Sequence, residues 1–316
     1  MNYFEVISPG PLSTIQDEGR FGFMNTGFSP GGAMDTYSMK IANILVGNAP
    51  SDGAVEMTMM GGTFKFLCKS VIALTGADME PEINGNEIEM YKGIEVSEGD
   101  ILTLKMAKCG MRTYMAVAGG FDLPRIMGSM STNLKCALGG YEGRKLKAGD
   151  RLPLRASVDI CHIGKRKTRP ENNYENEISV RVVLGPQEDY FTENGIKTFL
   201  SKTYTVSDKS DRMGVRLDGE KIENINGVDI ISDGIATGSV QIPASGTPII
   251  MMADRQTTGG YAKIATVISS DLKKIAQAKP GTKINFEAVS LKEATMLKRR
   301  EDRNLKFMLY RMYFCR

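Results

Sequence analysis

The side chains best suited to chemistry lie in the polar stretch 251–261, between two apolar segments. The apolar runs 247–252 and 262–268 each predict a strand. Between them stand five consecutive hydrogen-bonding residues, Asp254, Arg255, Gln256, Thr257 and Thr258. Gly259 and Gly260 follow and let the backbone approach a ligand closely. A simple hairpin needs only a two-residue turn, so the stretch predicts a ligand site. A bulged hairpin whose Asp and Thr side chains cap its own backbone is the alternative.

Composition is that of an ordinary globular protein and excludes several classes of partner. The chain has 316 residues, of which 41% are hydrophobic and 24% charged, and a formal net charge of +3. It has no basic face interleaved with aromatic residues, so no nucleic-acid partner is expected. It has neither an apolar run of membrane-spanning length nor a signal peptide, so we expect no membrane association and a cytoplasmic location.

Histidine and cysteine usage restricts the possible mechanisms. The single histidine, His162, lies in a polar basic run, and the five cysteines are widely spaced without a Cys-x-x-Cys motif. A Ser-His-Asp triad, a Cys-His pair and a metal site are therefore not expected. Proton transfer falls to Asp, Glu, Lys, Tyr or water. Neither glycine-rich nucleotide motif is present, so any nucleotide binds at another kind of site or on a partner.

Hydrophobic patterning predicts two mainly-β halves and a few helices. Strands are predicted at 3–7, 63–67, 71–74, 101–104, 114–118 and 178–184. Residues 162–177 are almost devoid of apolar side chains and predict a linker. The predicted organisation is a first half at 1–161, a second half at 178–296 and a basic helical tail at 297–316. Helices are predicted after the capping residues Asp35, Thr192 and Ser290, the last with Glu293 in a capping box.

Three further stretches carry more polar groups than a connection requires. They are 16–20, with the sequence Gln-Asp-Glu-Gly-Arg, the hydroxyl-rich loop 128–133, and 211–216, with two arginines and an aspartate around a glycine. Together with 254–261 they are expected to converge in space.

In this order, six motifs resemble one family, the allophanate hydrolase subunit 2 group, also called the biotin-dependent carboxyltransferase or KipA/PxpC family. The motifs are Ser8-Pro-Gly-Pro11 with Gln16-Asp-x-Gly-Arg20; Gly32-Ala-Met-Asp35; Gly128-Ser-x-Ser-Thr132; Asp211-Arg-Met-Gly-x-Arg216; Gln241-x-Pro243; and Asp254-Arg-Gln-Thr-Thr-Gly-Gly-Tyr261. The resemblance covers residues 3–296. Two positions depart from the pattern: Met130 stands where an arginine is expected and Ala262 where a proline is expected. Losing that arginine weakens the case for anion binding in the 128–133 loop.

The resemblance implies a mainly-β fold of two cyclophilin-like β-barrel halves, and one of three activities. The first is that of the C-type component of an ATP-dependent 5-oxoprolinase, which opens 5-oxoproline to glutamate. It implies a subunit-A-like partner and a subunit-B-like partner of the allophanate hydrolase subunit 1 or KipI type, with ATP used by the complex. The second is the carboxyltransferase component of a biotin-dependent urea carboxylase. The third is a regulatory binder that relieves a kinase inhibitor, as in KipA. The absence of a biotin-attachment motif and of an ATP-binding region favours the first.

Both enzymatic activities act on an uncharged amide group whose carbonyl carbon is a poor electrophile. Such chemistry needs donors aimed at the oxygen that becomes anionic and a base for water or nitrogen. Asp254 is the predicted base, with Asp17 or Asp211 orienting it. The predicted binding residues are Arg20, Ser131, Thr132, Arg212, Arg216, Gln241, Gln256, Thr257, Thr258, Gly259, Gly260 and Tyr261. For each aspartate the alternative is a structural Asp–Arg pair.

Overall fold

The structure is a computed structural model that describes residues 2–155, 166–170, 174–225, 227 and 229–314. His162, and with it residues 162–165 and 171–173 of the predicted linker, lie outside the described residues. Two compact units are present. The first consists of residues 1–20, 31–174 and 304–316, and the second of residues 21–30 and 175–303. None of the described helices combines the length and the apolar character that crossing a bilayer requires.

The first unit contains eleven of the described strands and one complete helix. They are β1 (Asn2–Ser8), β2 (Ser13–Gln16), α1 (Thr36–Leu45), β3 (Ala54–Thr58), β4 (Thr63–Phe66), β5 (Ser70–Asp78), β6 (Glu82–Ile83), β7 (Asn86–Glu87), β8 (Gly93–Val96), β9 (Ile101–Thr103), β10 (Cys109–Val117) and β11 (Arg151–Leu154). One sheet has the strand order β11-β1-β4-β9-β6-β7, and the other has the order β2-β3-β10-β5-β8.

Both faces of the five-stranded sheet are buried, which explains the continuous apolar runs in β5 and β10. Ile72 and Leu74 of β5 belong to the core that the two sheets share. Val71 and Ala73, which alternate with them, pack in a second cluster with α1. Since successive side chains of a strand point to opposite faces, a strand covered on both sides shows no polar alternation.

The second unit is built on a closed barrel with the strand order β12-β19-β16-β17-β14-β13-β20. Its elements are β12 (Glu177–Leu184), α2 (Glu193–Ser201), β13 (Tyr204–Val206), β14 (Gly214–Asp218), β15 (Asp229–Gly234), β16 (Ser239–Gln241), β17 (Ile249–Met251), β18 (Thr258–Tyr261), β19 (Lys263–Val267), α3 (Leu272–Gln277), β20 (Lys283–Ala288) and α4 (Leu291–Phe314). Strands β15 and β18 pair outside the barrel as a two-stranded ribbon. The mainly-β prediction is confirmed.

Two segments group differently from the predicted halves. Residues 21–30 belong to the second unit, where the Ser29 hydroxyl donates to the Ala253 carbonyl at 3.1 Å. Helix α4 starts in the second unit, but its residues from 304 onward belong to the first. The reason is apolar packing, because Leu305 is buried in the cluster formed with α1.

The predicted helix caps are confirmed. The Asp35 carboxylate accepts from the Ser38 backbone N–H, and Thr192 accepts from the Gly195 N–H. Ser290 accepts from the Glu293 N–H at 3.2 Å, which is one half of the predicted capping box. Each bond satisfies one of the N–H groups that a helix leaves free in its first turn.

A buried ion pair ties the first barrel strand to the segment before α3. Arg181 donates from Nε to Asp271 Oδ2 at 2.9 Å and from Nη2 to Oδ1 at 2.6 Å. Burial alone would raise the pKa of Asp271, but the side-chain and backbone hydrogen bonds from Arg181 outweigh it and hold the pKa below its ordinary value of 3.8. A carboxyl with a depressed folded-state pKa stabilises the fold above its unfolded-state pKa and loses that contribution as the pH falls.

Asp271→Asn is therefore expected to destabilise the protein by about 3 kcal/mol at pH 7, the scale for removing one partner of a buried pair. The difference from wild type should shrink as the pH falls below 3.8 and through the lower folded-state pKa. Urea unfolding of both proteins at pH 7 and pH 3 measures this. An equal difference at the two pH values would show that the charge of Asp271 contributes nothing.

Candidate functional site

Asp17 is the centre of a buried hydrogen-bond cluster in the first unit. Its Oδ1 accepts from the hydroxyls of Ser129 and Ser131, each at 2.6 Å, and from the Gly19 N–H at 2.8 Å. Its Oδ2 accepts from the Met130 N–H at 2.6 Å. Three of these four donors are bound to Oδ1 and one to Oδ2, and Arg125 Nη1 lies 3.6 Å from Oδ2. In the described contacts Asp17 joins the 16–20 and 128–133 stretches.

The 128–133 loop is fastened to β2 by the remaining bonds of this cluster. The Ser131 hydroxyl accepts from the Asp17 N–H at 2.9 Å, and the Thr132 hydroxyl donates to the Ile15 carbonyl at 3.0 Å. Arg20 is buried, and its Nη2 donates to the Ser131 carbonyl at 2.5 Å. The structure thus brings Arg20, Ser131 and Thr132 together as predicted, but their described bonds are to the protein itself.

Met130 explains how this loop does without the expected arginine. Its side chain is 3% exposed and lies in the core shared by the two sheets. The apolar side chain adds packing to the sheet interior. The bond to Asp17 comes from the backbone N–H, which does not depend on the side chain at this position.

Gly139 tests how tightly the loop is packed. Its φ is +70°, and an added Cβ would lie 2.2 Å from the Ser131 carbonyl oxygen and 2.8 Å from Arg20 Nη2. Gly139→Ala should lower the free energy of unfolding by about 3 kcal/mol, from backbone strain plus overpacking. Gly128 has a φ of +78° but nothing within 4 Å of an added Cβ, so Gly128→Ala should cost about 1 kcal/mol. Denaturant unfolding of the two variants measures this. Equal losses in the free energy of unfolding would mean that the contact of the added Cβ with Ser131 and Arg20 is unimportant.

Arg212 and Asp254 form the corresponding polar pair of the second unit. Strands β14 and β17 pair Gly214 with Met251, and the pairing continues beyond the strand ends, where the Asp254 N–H donates to the Arg212 carbonyl at 2.9 Å. This register places the two side chains together. Arg212 Nε donates to Asp254 Oδ2 at 2.8 Å, and Nη2 donates to Oδ1 at 3.3 Å. This contact is the Asp–Arg pair given above as the structural alternative to a base, and 17% of the Asp254 side chain is exposed.

Asp211 has a local role in the described contacts. Its Oδ1 accepts from the Met213 N–H at 2.7 Å and the Gly214 N–H at 3.1 Å, which caps the turn before β14. The structure gives it no bond to Asp254, so the prediction that it orients the base lacks a contact. Arg216 is an exposed residue of β14 and makes no described ion pair.

Part of the stretch 255–261, predicted as a loop, is a strand in the structure. Residues 258–261 form β18, whose register pairs Gly259 with Asp233 and Tyr261 with Asp229. Gln256 and Thr258 are exposed, as expected of ligand-binding side chains, and Thr257 is half-buried. The strand was missed because its residues are polar or glycine, and its pairing with β15 is a tertiary interaction.

Gln241 lies behind the two glycines of β18. It is 4% exposed, and its Nε2 donates to the Tyr261 carbonyl at 3.5 Å. An added Cβ on Gly259 would lie 3.0 Å from this Nε2 and 2.7 Å from Ile235 Cδ1. Gly259 is therefore required for packing. Gly260 is different, because an added Cβ would meet only Ile230 O at 3.5 Å and Ser232 Oγ at 3.9 Å.

Two buried cations of this region were not among the predicted site residues. Lys263 of β19 is 2% exposed, and its Nζ lies 2.7 Å from Asp233 Oδ2. The Lys263 hydrogen bond lowers the pKa of Asp233. Arg255 is 4% exposed, and burial lowers the pKa of its guanidinium to about 10. The only signal in the sequence was that both lie next to predicted site residues. Their burial could not be predicted, because tertiary packing decides whether a charged side chain is buried.

The structure thus forms two polar clusters from the four predicted stretches, one in each unit. Residues 16–20 meet 129–133 in the first, and residues 211–216 meet the start of 254–261 in the second. The second cluster has a carboxylate, buried guanidinium groups and exposed hydrogen-bonding side chains next to one another.

Comparison with known proteins decides the family. The model of the carboxyltransferase domain, subdomain A and B, matches residues 26–288. The chain belongs to this family. It is 37% identical over 312 residues to the C-type subunit of 5-oxoprolinase from Escherichia coli, with 98% of each chain covered. It is 40% identical over 304 residues to the C-type subunit of 5-oxoprolinase from Haemophilus influenzae, with 94% of this chain and 95% of the relative covered.

A solved structure shows the same fold in a larger enzyme. The crystal structure of the Kluyveromyces lactis urea carboxylase matches with a TM-score of 0.88 at 30% identity, and the match covers 97% of this chain but 29% of that chain. The family and the mainly-β fold that the motifs implied are thereby confirmed, with a closed barrel in the second unit and two sheets in the first. The roles of the individual site residues stay predictions.

Proposed function

We propose that this chain is the C-type subunit of a 5-oxoprolinase, which opens the cyclic amide of 5-oxoproline to glutamate. The observation that carries the proposal is similarity over nearly the whole chain to two bacterial proteins of that name, at 37% and 40% identity. The similarity extends over 98% and 95% of those relatives, so it is not confined to one shared domain. We infer a hydrolase subunit that acts in a hetero-oligomer with subunit-A-like and subunit-B-like partners.

Urea carboxylase activity is the second candidate, favoured by the fold shared with the Kluyveromyces lactis enzyme. This chain corresponds to less than a third of that enzyme. The biotin and the other parts of that reaction would have to be supplied from outside the 316 residues of this sequence. Similarity over the whole length of the two oxoprolinase subunits supports the first proposal more directly.

The ATP that we expect the complex to consume has no evident phosphate site in the described helices. A helix N-terminus binds phosphate when its N–H groups are free. Here α1 begins at the carboxylate of Asp35, and α2 begins at Thr192 followed by Glu193. Helix α3 begins at Asp271, and α4 begins after Ser290 with Glu293 in its first turn. Acidic groups repel phosphate, so we assign ATP binding to a partner subunit.

The chemistry we propose for this chain is activation of the amide. A lactam carbonyl is a weak electrophile, so its opening requires donors for the oxygen that gains charge and a base for the attacking water. Asp254 is our candidate base. Arg212 uses one lone-pair direction of each Asp254 oxygen and leaves the others open. Exposed Gln256 and Thr258 are the proposed substrate donors.

The purified chain alone is expected to show no turnover of 5-oxoproline with ATP. The reason is that its sequence has no phosphate-binding loop and that side chains cap the N-termini of α1 and α2. Glutamate formation measured with the chain alone and with coexpressed partner subunits tests this. Full activity of the chain alone would contradict the proposed division of labour.

A further inference from the structure

Arg255 is a buried cation without a carboxylate partner in the described part of the chain. It is 4% exposed. Its Nε donates to the Ile235 carbonyl at 2.8 Å and its Nη1 to the Met252 carbonyl at 3.4 Å. Burial is the only cause of its lowered pKa, with no contribution from a carboxylate. Burying an unpaired charge is costly, so a fold that needed only to tie two carbonyls has little reason to use a guanidinium here.

The rest of the guanidinium is available to a ligand. An arginine offers five N–H donors, and the two carbonyls engage only Nε and Nη1. Nη2 has no acceptor in the described residues, and it is not fully buried. Nη2 therefore lies where solvent or a small anion reaches it.

Arg255 is next in sequence to the candidate base. It directly follows Asp254, the partner of Arg212. It is also anchored at the end of the ribbon, because Ile235, which directly follows β15, accepts from Arg255 and donates to the Thr257 carbonyl at 3.0 Å. Gly260 of that ribbon is a glycine that neither packing nor a positive φ requires, since an added Cβ would make only ordinary contacts. The missing side chain leaves room beside the polar stretch.

We propose that Arg255 binds the carboxylate of the substrate and so orients its amide toward Asp254. This inference rests on the proposed function, because 5-oxoproline carries a carboxylate and urea does not. A guanidinium matches a carboxylate with two parallel hydrogen bonds, and an ammonium does not. Arg255 would then make the site selective for a cyclic amide that carries a carboxylate over a neutral amide.

The test uses the assembled complex and two amides that differ only in the carboxylate, 5-oxoproline and 2-pyrrolidinone. In wild type, the inhibition constant of 2-pyrrolidinone should be much higher than the KM for 5-oxoproline. Arg255→Gln should raise the KM for 5-oxoproline by about 10- to 100-fold, the loss of one charge-assisted contact. The inhibition constant of 2-pyrrolidinone should stay unchanged. Arg255→Lys, which keeps the charge and loses the paired geometry, should lie between.

Arg181→Gln is the matched control, since it removes a structural arginine that pairs with Asp271. This variant should lower the melting temperature and leave the KM for 5-oxoproline and the inhibition constant of 2-pyrrolidinone unchanged. If wild type is active and Arg255→Gln weakens both amides equally, or neither, then Arg255 is structural and the inference is overturned. If the wild-type complex has no activity on 5-oxoproline, the proposed function itself fails, and the carboxylate assignment fails with it.

Discussion

Asp254→Asn is expected to lower turnover of the assembled complex by about 10²-fold or more, the usual scale for loss of a general base. Asparagine keeps the size of the side chain but is not basic. The change also weakens the pair with Arg212, whose side chain is 8% exposed. A stability loss of about 2 kcal/mol is therefore expected too. Activity must be expressed per folded complex, with thermal melting and co-purification measured on the same preparation.

Asp218→Asn is the control for this change. Asp218 ends β14 in the same unit, is exposed and has no described side-chain bond, so its turnover and melting temperature should match wild type. If Asp254→Asn lowers the melting temperature but keeps its activity per folded complex, the Arg212–Asp254 pair is structural. Asp254 would then have to be removed from the proposed site.

Asp17→Ala should have the largest effect on stability, a loss of about 4 kcal/mol in the free energy of unfolding. Four donors lose their acceptor in a buried cluster: the hydroxyls of Ser129 and Ser131 and the N–H groups of Gly19 and Met130. Each unsatisfied buried donor costs about 1–3 kcal/mol before relaxation. Denaturant unfolding of the purified chain measures the loss without the need for partner subunits.

Asp100→Ala is the matched control for Asp17. Its carboxylate also accepts from two groups, Asn84 Nδ2 at 2.7 Å and the Ser97 N–H at 2.8 Å, but the site is exposed. Water replaces the lost acceptor there, so the expected loss is about 1 kcal/mol. A small loss for Asp17→Ala, similar to that of Asp100→Ala, would show that the loops are held by other contacts.

Elements with strong local patterns were predictable from the sequence. Strands β5 and β10 have apolar runs bounded by turn residues, and burial on both faces keeps those runs continuous. The helices after Asp35 and Thr192 were predictable because a capping side chain acts on an N–H only three residues away. In these cases the deciding contact is local or the pattern is long.

Elements decided by distant residues were not predictable. Asp17 and Ser129 are 112 positions apart, and only the folded sheet brings them together. The substrate role of Ser131 stays a prediction, but its two hydroxyl bonds with Asp17 could not be foreseen from the sequence. Arg255 was passed over for a similar reason, because its lack of a counter-ion is visible only when its surroundings are known.

Reconstitution of the complex with and without this chain tests the central proposal most directly. Partner subunits of the A and B types are purified with this chain and without it, and glutamate formed from 5-oxoproline and ATP is measured. We expect ATP-dependent glutamate formation only when this chain is present, and none from the two partners alone. Equal activity of the two partners without this chain would contradict the account. So would a complete complex that leaves 5-oxoproline unchanged but carboxylates urea.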